Sequence, residues 1–195
     1  MEWMNVGLAV LLGLGLSAST GLNTWLPLLL LSGAAHFNLA GVQLSGSFSW
    51  LGSQTALLVL LIATLIEVVA DKIPAVDHAL HAVSTFVRPA AATVAMAAAF
   101  THLDPMVAGM LGLMIGAPTA LGFHALKSAA RVGSSVTTFG CANPVLSLID
   151  DVASLLLSVI AIFIPILVPL ALGAIGIALW MLVRKIRAAR PPATA

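Results

Sequence analysis

Apolar residues run through this chain in long blocks, separated by short polar stretches. Blocks of about 18 residues or more are too long for strands and predict helices that cross a bilayer. The pattern places six of them, at about 5–31, 54–71, 84–101, 106–127, 145–163 and 166–184. Asn143-Pro144 reads as a cap followed by a first-turn proline at the start of the fifth. Pro165 and Pro169 separate the last two, because proline removes a helix donor. The connection 32–53 is long, uncharged and rich in Gly and Ser, with Trp50 suited to a membrane interface. After Pro74, the spacing of Val76, Leu80 and Val83 predicts a short amphipathic helix over 72–83, lying on the membrane surface.

One segment is written twice. Residues 12–22 read LGLGLSASTGL and residues 111–121 read LGLMIGAPTAL, so that Leu12, Gly13, Leu14, Ala18, Thr20 and Leu22 recur as Leu111, Gly112, Leu113, Ala117, Thr119 and Leu121. With the copies in the first and fourth spans, they cross in opposite directions. The chain then divides into a three-helix repeat over 1–101, an inverted three-helix repeat over 102–186, and a disordered cytoplasmic tail over 187–195. Inverted repeats of this kind place a binding site near the midplane.

The echoed segment supports two readings. In one, Gly13, Ser17 and Gly21 form a small-residue ridge, matched by Gly112, Gly116 and Ala120, and the two helices simply pack closely. In the other, both helices break near the midplane: Pro118 cannot donate to the carbonyl of Met114, and the neighbouring glycines make unwinding cheap. Ser17, Ser19, Thr20, Asn23, Pro118 and Thr119 would then line a site for a small solute or ion. Serine and threonine also bond harmlessly to the preceding turn, whereas the amide of Asn23 needs partners in lipid.

Composition agrees with the membrane reading. The chain has 195 residues, 61% hydrophobic and 8% charged, with mean hydropathy +1.12, against roughly 25% charged in soluble domains. Val6 to Leu16 followed by Ser17-Ala18-Ser19 imitates a signal peptide, but Glu2 and the lack of a basic residue ahead of it favour an uncleaved span. The net charge of +1 gives no basic face for nucleic acid. The single cysteine, Cys141, can form no internal disulfide. With six spans, the loops on one side and the tail hold all 8 basic residues. That bias places both termini in the cytoplasm.

The remaining signal is a charged set. Glu67 and Asp71 lie four residues apart, as do Lys127 and Arg131, so each pair shares a helix face. Lys72, Arg88, Asp150 and Asp151 fall near the same ends. Charges in or beside hydrocarbon need one another. The expected contacts are Glu67 or Asp150 with Lys127 or Arg131, and Arg88 with Asp71 or Asp77. Such a cluster is either a structural latch at the cytoplasmic mouth or a coupling site for a proton or cation, with His124 beside it as a relay. Asp77, His78 and His81 read as amphipathic filler rather than metal ligands. No nucleophile, metalloprotease or phosphate-loop motif is present, so neither an enzyme nor a cofactor is expected.

With GLNTWLPLLL, IEVVADKIPAVDHALHAVSTFVRPAA, ALGFHALKSAARVGSS and ANPVLSLIDD in view, the chain resembles an uncharacterised bacterial membrane family, domain-of-unknown-function family 4126. The resemblance covers most of 10–160 and rests on Glu67, Asp71, Lys72, Pro74, Asp77, Arg88, Pro89, His124, Lys127, Arg131, Asn143, Pro144, Asp150 and Asp151. In the acidic pair of the fifth span that family prefers a glutamate where Asp150 stands here. It implies a signature, not a substrate.

The fold expected is therefore all-α and integral to the membrane. It has six transmembrane helices as a 3+3 inverted repeat, with the first and fourth helices candidates for a break. The function expected is a small transporter or channel-like protein of the bacterial inner membrane. Its partners would be the bilayer, a small solute or ion, and a second copy of the chain. A non-transporting scaffold and a membrane-embedded enzyme acting on lipid are the alternatives.

Overall fold

The computed structural model describes residues 2–44, 46–138 and 141–188, with the backbone alone at 2–5, 74–82, 137–138, 179, 182–183 and 186–188. Among them the chain is all-helical. The helices are α1 (Glu2–Leu22), α2 (Leu26–His36), α3 (Gln54–Ala70), α4 (Pro74–Ala99), α5 (Pro105–Leu111), α6 (Ala117–Thr138), α7 (Asn143–Phe163) and α8 (Val168–Ala188). Within the described residues Pro105–Val136 and Asn143–Phe163 are long and apolar enough to cross a membrane. Gly46–Gly52 with Gln54–Ala70 passes only as a pair bent by 64°, and Val6–Leu22, Leu26–His36, Val83–Ala99 and Pro165–Ala178 are shorter apolar helices. Large apolar side chains such as Leu58, Ile62, Ile66, Met106, Met110, Leu148 and Leu156 point outward, while Ser, Thr, Arg and Lys side chains are buried. That inside-out distribution is compatible with a multi-pass membrane protein.

The block expected as one first span is two helices. α1 ends at Leu22, and the chain turns through Asn23-Thr24-Trp25 into α2. The direction reverses there. Val6, Leu8, Ala9 and Leu12 at the start of α1 share a cavity of about 320 Å³ with Ala40–Gln43, which follow α2, and with Ile162 and Pro165. Leu29, Leu30, Gly33 and Ala34 of α2 line a groove with Val159, Ile162 and Phe163. The physical cause is a double start signal. Asn23 Oδ1 accepts from the N–H groups of Trp25 (3.3 Å) and Leu26 (3.1 Å), and Pro27 stands in the first turn of α2.

That reversal changes the direction expected for the echoed pair. A Cβ built at Gly116 would lie 2.9 Å from Ser17 Oγ, and one at Gly21 would lie 2.5 Å from Ala120 O and 2.6 Å from Phe123 Cβ. Further along, Lys127 reaches Leu22. Residue numbers rise together, so α1 and the α5–α6 helix run parallel, with the echoed ridges in register. α4 runs against both, since Gly13 meets Met96 while Gly112 meets the Thr93 carbonyl. The expected antiparallel crossing rested on counting 5–31 as one segment; the additional leg, α2, restores the parity. For the same reason the start of α1 lies at the opposite end of the bundle from the charged residues. The expectation that it shares their side is corrected accordingly.

Neither echoed helix breaks within the echo. α1 is continuous over 12–22, and the second copy is continuous through a π-helical turn at Gly112–Gly116, where the N–H of Ala117 reaches Gly112 O. The wide turn falls just ahead of Pro118, which has no N–H to offer. The surface helix expected over 72–83 is the first part of α4, continuous with 84–99 across Pro89. The side chains of Val76, Asp77, His78, Leu80 and His81 lie outside the described residues, as does the tail from 189. α7 starts where expected, but Ala142 is its N-cap; Asn143 instead donates to Ser135 Oγ (3.0 Å).

Candidate functional site

At the reversal, two helix ends come together inside the bundle. The last turn of a helix leaves carbonyls without partners and the first turn leaves N–H groups without partners, carrying partial negative and positive charge respectively. Here each end meets ions of the opposite sign. Arg88 Nη1 donates to Gly21 O (2.5 Å) and Thr20 O (3.4 Å), and Lys127 Nζ donates to Leu22 O (2.7 Å), closing the end of α1. Glu67 closes the start of α2. Its Oε2 accepts from the N–H of Thr24 (2.9 Å) and Trp25 (3.2 Å), and its Oε1 accepts from Thr24 N–H (3.1 Å) and Thr24 Oγ1 (2.7 Å). Arg88 Nη2 joins the two caps by donating to Glu67 Oε1 at 3.1 Å.

A second layer of charge lies alongside. Asp71 Oδ2 accepts from Lys127 Nζ (3.2 Å) and Arg131 Nη2 (3.2 Å). Asp150 Oδ2 stands 3.6 Å from Lys127 and 3.8 Å from Arg131. Asp151 Oδ1 accepts from Asn23 Nδ2 (2.9 Å), and its Oδ2 lies 3.5 Å from Lys72 Nζ. Four carboxylates thus face four cations, and the cluster balances. Its inner members are nearly dry: the side chains of Arg88, Glu67, Lys127 and Asp71 are 1–6% exposed, against 40% for Lys72. Exposure rises toward Asp150, Asp151 and Lys72, which marks the wet edge of the cluster.

The expected pairing holds in part. Asp150 does meet Lys127 and Arg131, but Glu67 takes Arg88, and Arg88 serves neither Asp71 nor any described aspartate directly. The rotation of α4 decides this, since it turns Arg88 toward the end of α1. Arg88 lies 11 residues before the end of α4 and 14 after its start, roughly 16 Å and 21 Å of helix. Apolar side chains still point outward at this level and beyond, at Phe86, Val132, Val136, Val145 and Leu148.

The residues expected to line a midplane site are dispersed. Ser17 donates to Ala92 O (3.4 Å) and Thr20 to Leu16 O (2.8 Å). Ser19 bonds Ser154 O (2.7 Å), Ser154 Oγ (2.9 Å) and Ser158 Oγ (2.5 Å) on α7. Asn23 belongs to the reversal instead. Pro118 is exposed, and Thr119 bonds back to Ile115 O (2.7 Å) on the outer side of the helix. His124 is buried on α6 with Nε2 3.4 Å from Thr85 Oγ1 on α4, one turn before Lys127. Sequence reasoning missed Thr24, Trp25, Ser154 and Ser158. For the serines the signal was legible: Ser147, Asp151, Ser154 and Ser158 form a polar stripe on one face of α7.

What the arrangement can do chemically is hold a planar two-oxygen anion. Two backbone N–H groups, a hydroxyl and a guanidinium converge on one carboxylate, with no side chain on this cradle poised for covalent chemistry. No curated protein and no solved structure matches the chain. The family described as domain of unknown function DUF4126 matches residues 10–185, nearly the whole length and every residue of the charged cluster, and the chain belongs to it.

Proposed function

We propose that the protein carries a small solute or ion across a bacterial cytoplasmic membrane, and that its working site is the reversal at Asn23–Trp25 with the charges around it. One observation carries this reading: a pair of helix ends and five buried charged side chains, Glu67, Asp71, Arg88, Lys127 and Arg131, are gathered inside an apolar bundle, with Asp150, Asp151 and Lys72 beside them at its wet edge. Such residues are costly in a bilayer and mark solute or ion pathways there. Discontinuous helices that meet at a site are the recurring device of membrane carriers. The echoed seam is the packing element in this reading, not the site. Since basic residues favour the cytoplasmic side, Lys72, Lys127 and Arg131 orient the wet edge inward, and the start of α1 faces outward.

One observation favours a second reading, a non-transporting scaffold. Ser17, Ser19, Thr20 and Asn23 are all buried and hydrogen-bonded within the protein, as a purely structural seam requires. Reconstitution separates the two. Liposomes containing the purified protein are loaded with a panel of small cations, anions and protons, and flux is followed for wild type, Glu67→Gln and Asp150→Asn. Carriage at the charged reversal predicts flux of at least one species above protein-free vesicles and a change of tenfold or more in Glu67→Gln. No flux for any species would leave the scaffold.

A further inference from the structure

The polar stripe of α7 is used unevenly. In its second half the side chains are paired, Asp151 with Asn23, and Ser154 and Ser158 with Ser19. In its first half three oxygens are buried without a hydrogen-bond partner among the described residues: Asn143 Oδ1, Ser147 Oγ and Asp150 Oδ2. They stand at i, i+4 and i+7, so they share one helix face over roughly 10 Å. Ser147 is fully buried. Folded proteins rarely leave even one such oxygen unpaired, and water is the usual donor to it.

The packing leaves room there. α7 lies close on α1 and α2 but only loosely against α6. The α6 face carrying Lys127 and Arg131 continues as Ser134 and Ser135, and Ser135 accepts from Asn143 Nδ2. Ser135 is exposed, which opens the row at the start of α7.

The row ends on the one carboxylate of the cluster that no donor holds among the described residues. Glu67 takes five hydrogen bonds, Asp71 is held by Lys127 and Arg131, and Asp151 by Asn23 and Lys72. Lys127 and Arg131 stop 3.6 and 3.8 Å from Asp150 Oδ2, beyond hydrogen-bond reach. A proton on Asp150 therefore leaves the bonds to Asp71 and to Leu22 O in place. A metal cation has no such place, because the same two side chains repel it. The other charges around Asp150 are Asp71 and Lys72 at the end of α3, its neighbour Asp151, and Arg88 and Glu67 deeper in. α1 brings only Asn23, and on α8 Arg184 lies over Trp180 while Lys185 is exposed. His124, one turn before Lys127, turns to Thr85 on α4.

We propose that this row is a proton inlet: water held along Asn143 and Ser147 leads from the exposed start of α7 to Asp150, where the cluster takes up and releases protons. The proton leaves a hydronium ion, adds to Asp150 Oδ2 and returns to water, and no other covalent bond changes. The proposal rests on the reading of the reversal and its charges as the working site, and it names the proton as the ion exchanged there. Buried carboxylates in membrane proteins serve proton relays of this kind.

Access and uptake are read separately on protein purified in detergent. With Cys141→Ser as background, Ser147→Cys should react with a water-soluble methanethiosulfonate at least tenfold faster than Ser158→Cys, a position equally buried. On acidification, one component of the infrared band of protonated carboxyls should appear in wild type and be missing from Asp150→Asn. In Asp150→Glu it should return at a shifted position, which identifies it even where Asp150→Asn does not fold. Equal labelling of the two cysteines, or a band that none of these substitutions alters, would overturn the proposal. Transport is followed as acidification of pyranine-loaded liposomes, expected to fall at least tenfold in Asp150→Asn. Labelling and a titrating Asp150 without proton entry keep the inlet and remove the carrier reading; flux of another ion without titration at Asp150 does the reverse.

Discussion

The same eleven-residue phrase has two lives in this fold. From residue 15 of α1 through Thr24 of the turn the chain is buried without interruption, and the helix is wrapped by α4, α6 and α7. In the second copy only one stripe is buried, through Gly112, Gly116, Ala117 and Ala120, while Leu113 and Met114 are 64% and 73% exposed. A small-residue ridge specifies one contact, the one between the copies. What the other faces meet depends on neighbours the phrase does not encode. The endings differ too: the first copy runs into a reversal held by ions, and the second continues as an unbroken helix past Pro118.

The endings give the largest contrast. Arg88→Met removes the cation that caps α1 and leaves Glu67 buried with one partner fewer, so a loss of about 3–5 kcal/mol is expected. Pro118→Ala, near the end of the second copy, should stay within about 0.5 kcal/mol. Denaturant unfolding in mixed micelles measures both, and equal losses would mean that the reversal is not held by its charges.

Next come the seams. Gly21→Ala forces a methyl onto the Ala120 carbonyl and should cost about 1–3 kcal/mol. Gly122→Ala, with nothing within 4 Å of its new methyl, should be neutral or stabilising by up to about 1 kcal/mol. A smaller difference is expected between the hydroxyls. Ser19→Ala takes the hydroxyl partner from Ser158 in a dry seam, while Ser154 keeps its bond to the carbonyl of residue 19, and should lose roughly 1–2 kcal/mol. Thr119→Ala gives up only a bond to its own helix and should change the unfolding midpoint little. Smallest of all is Lys72→Ala at the wet edge, with about 0–1 kcal/mol expected.

The charged set was legible because ions in apolar stretches have to find counter-ions, and the helix ends bearing them can be read from spacing alone. The partners were not legible, since Glu67 and Asp71 share a face of α3 one turn apart and spacing alone does not set how far along α3 Arg88 stands. The reversal hid inside an unbroken apolar run. Its signal was nonetheless present: Asn23 with Pro27 four residues on is a helix-start signal of the same kind as the Asn143-Pro144 that located the start of α7. In the echo the contact was legible and its direction was not, because direction depends on the parity of every segment in between. Pro118 suggested a break, but a π turn absorbs a missing donor at less cost than unwinding.

The reversal also has a timetable. Thr24 and Trp25 wait for a carboxylate made more than forty residues later, and the carbonyls of Gly21 and Leu22 wait for Arg88 and Lys127, 67 and 105 residues downstream. While the chain is being synthesised, the first hairpin emerges with its polar turn unsatisfied and has no stable place in lipid. Until the middle of α6 has been made, that turn must be kept at a wet surface or sheltered by the insertion machinery. Truncations released just before and just after Lys127 should therefore differ sharply in whether Asn23 is reachable by a water-soluble label.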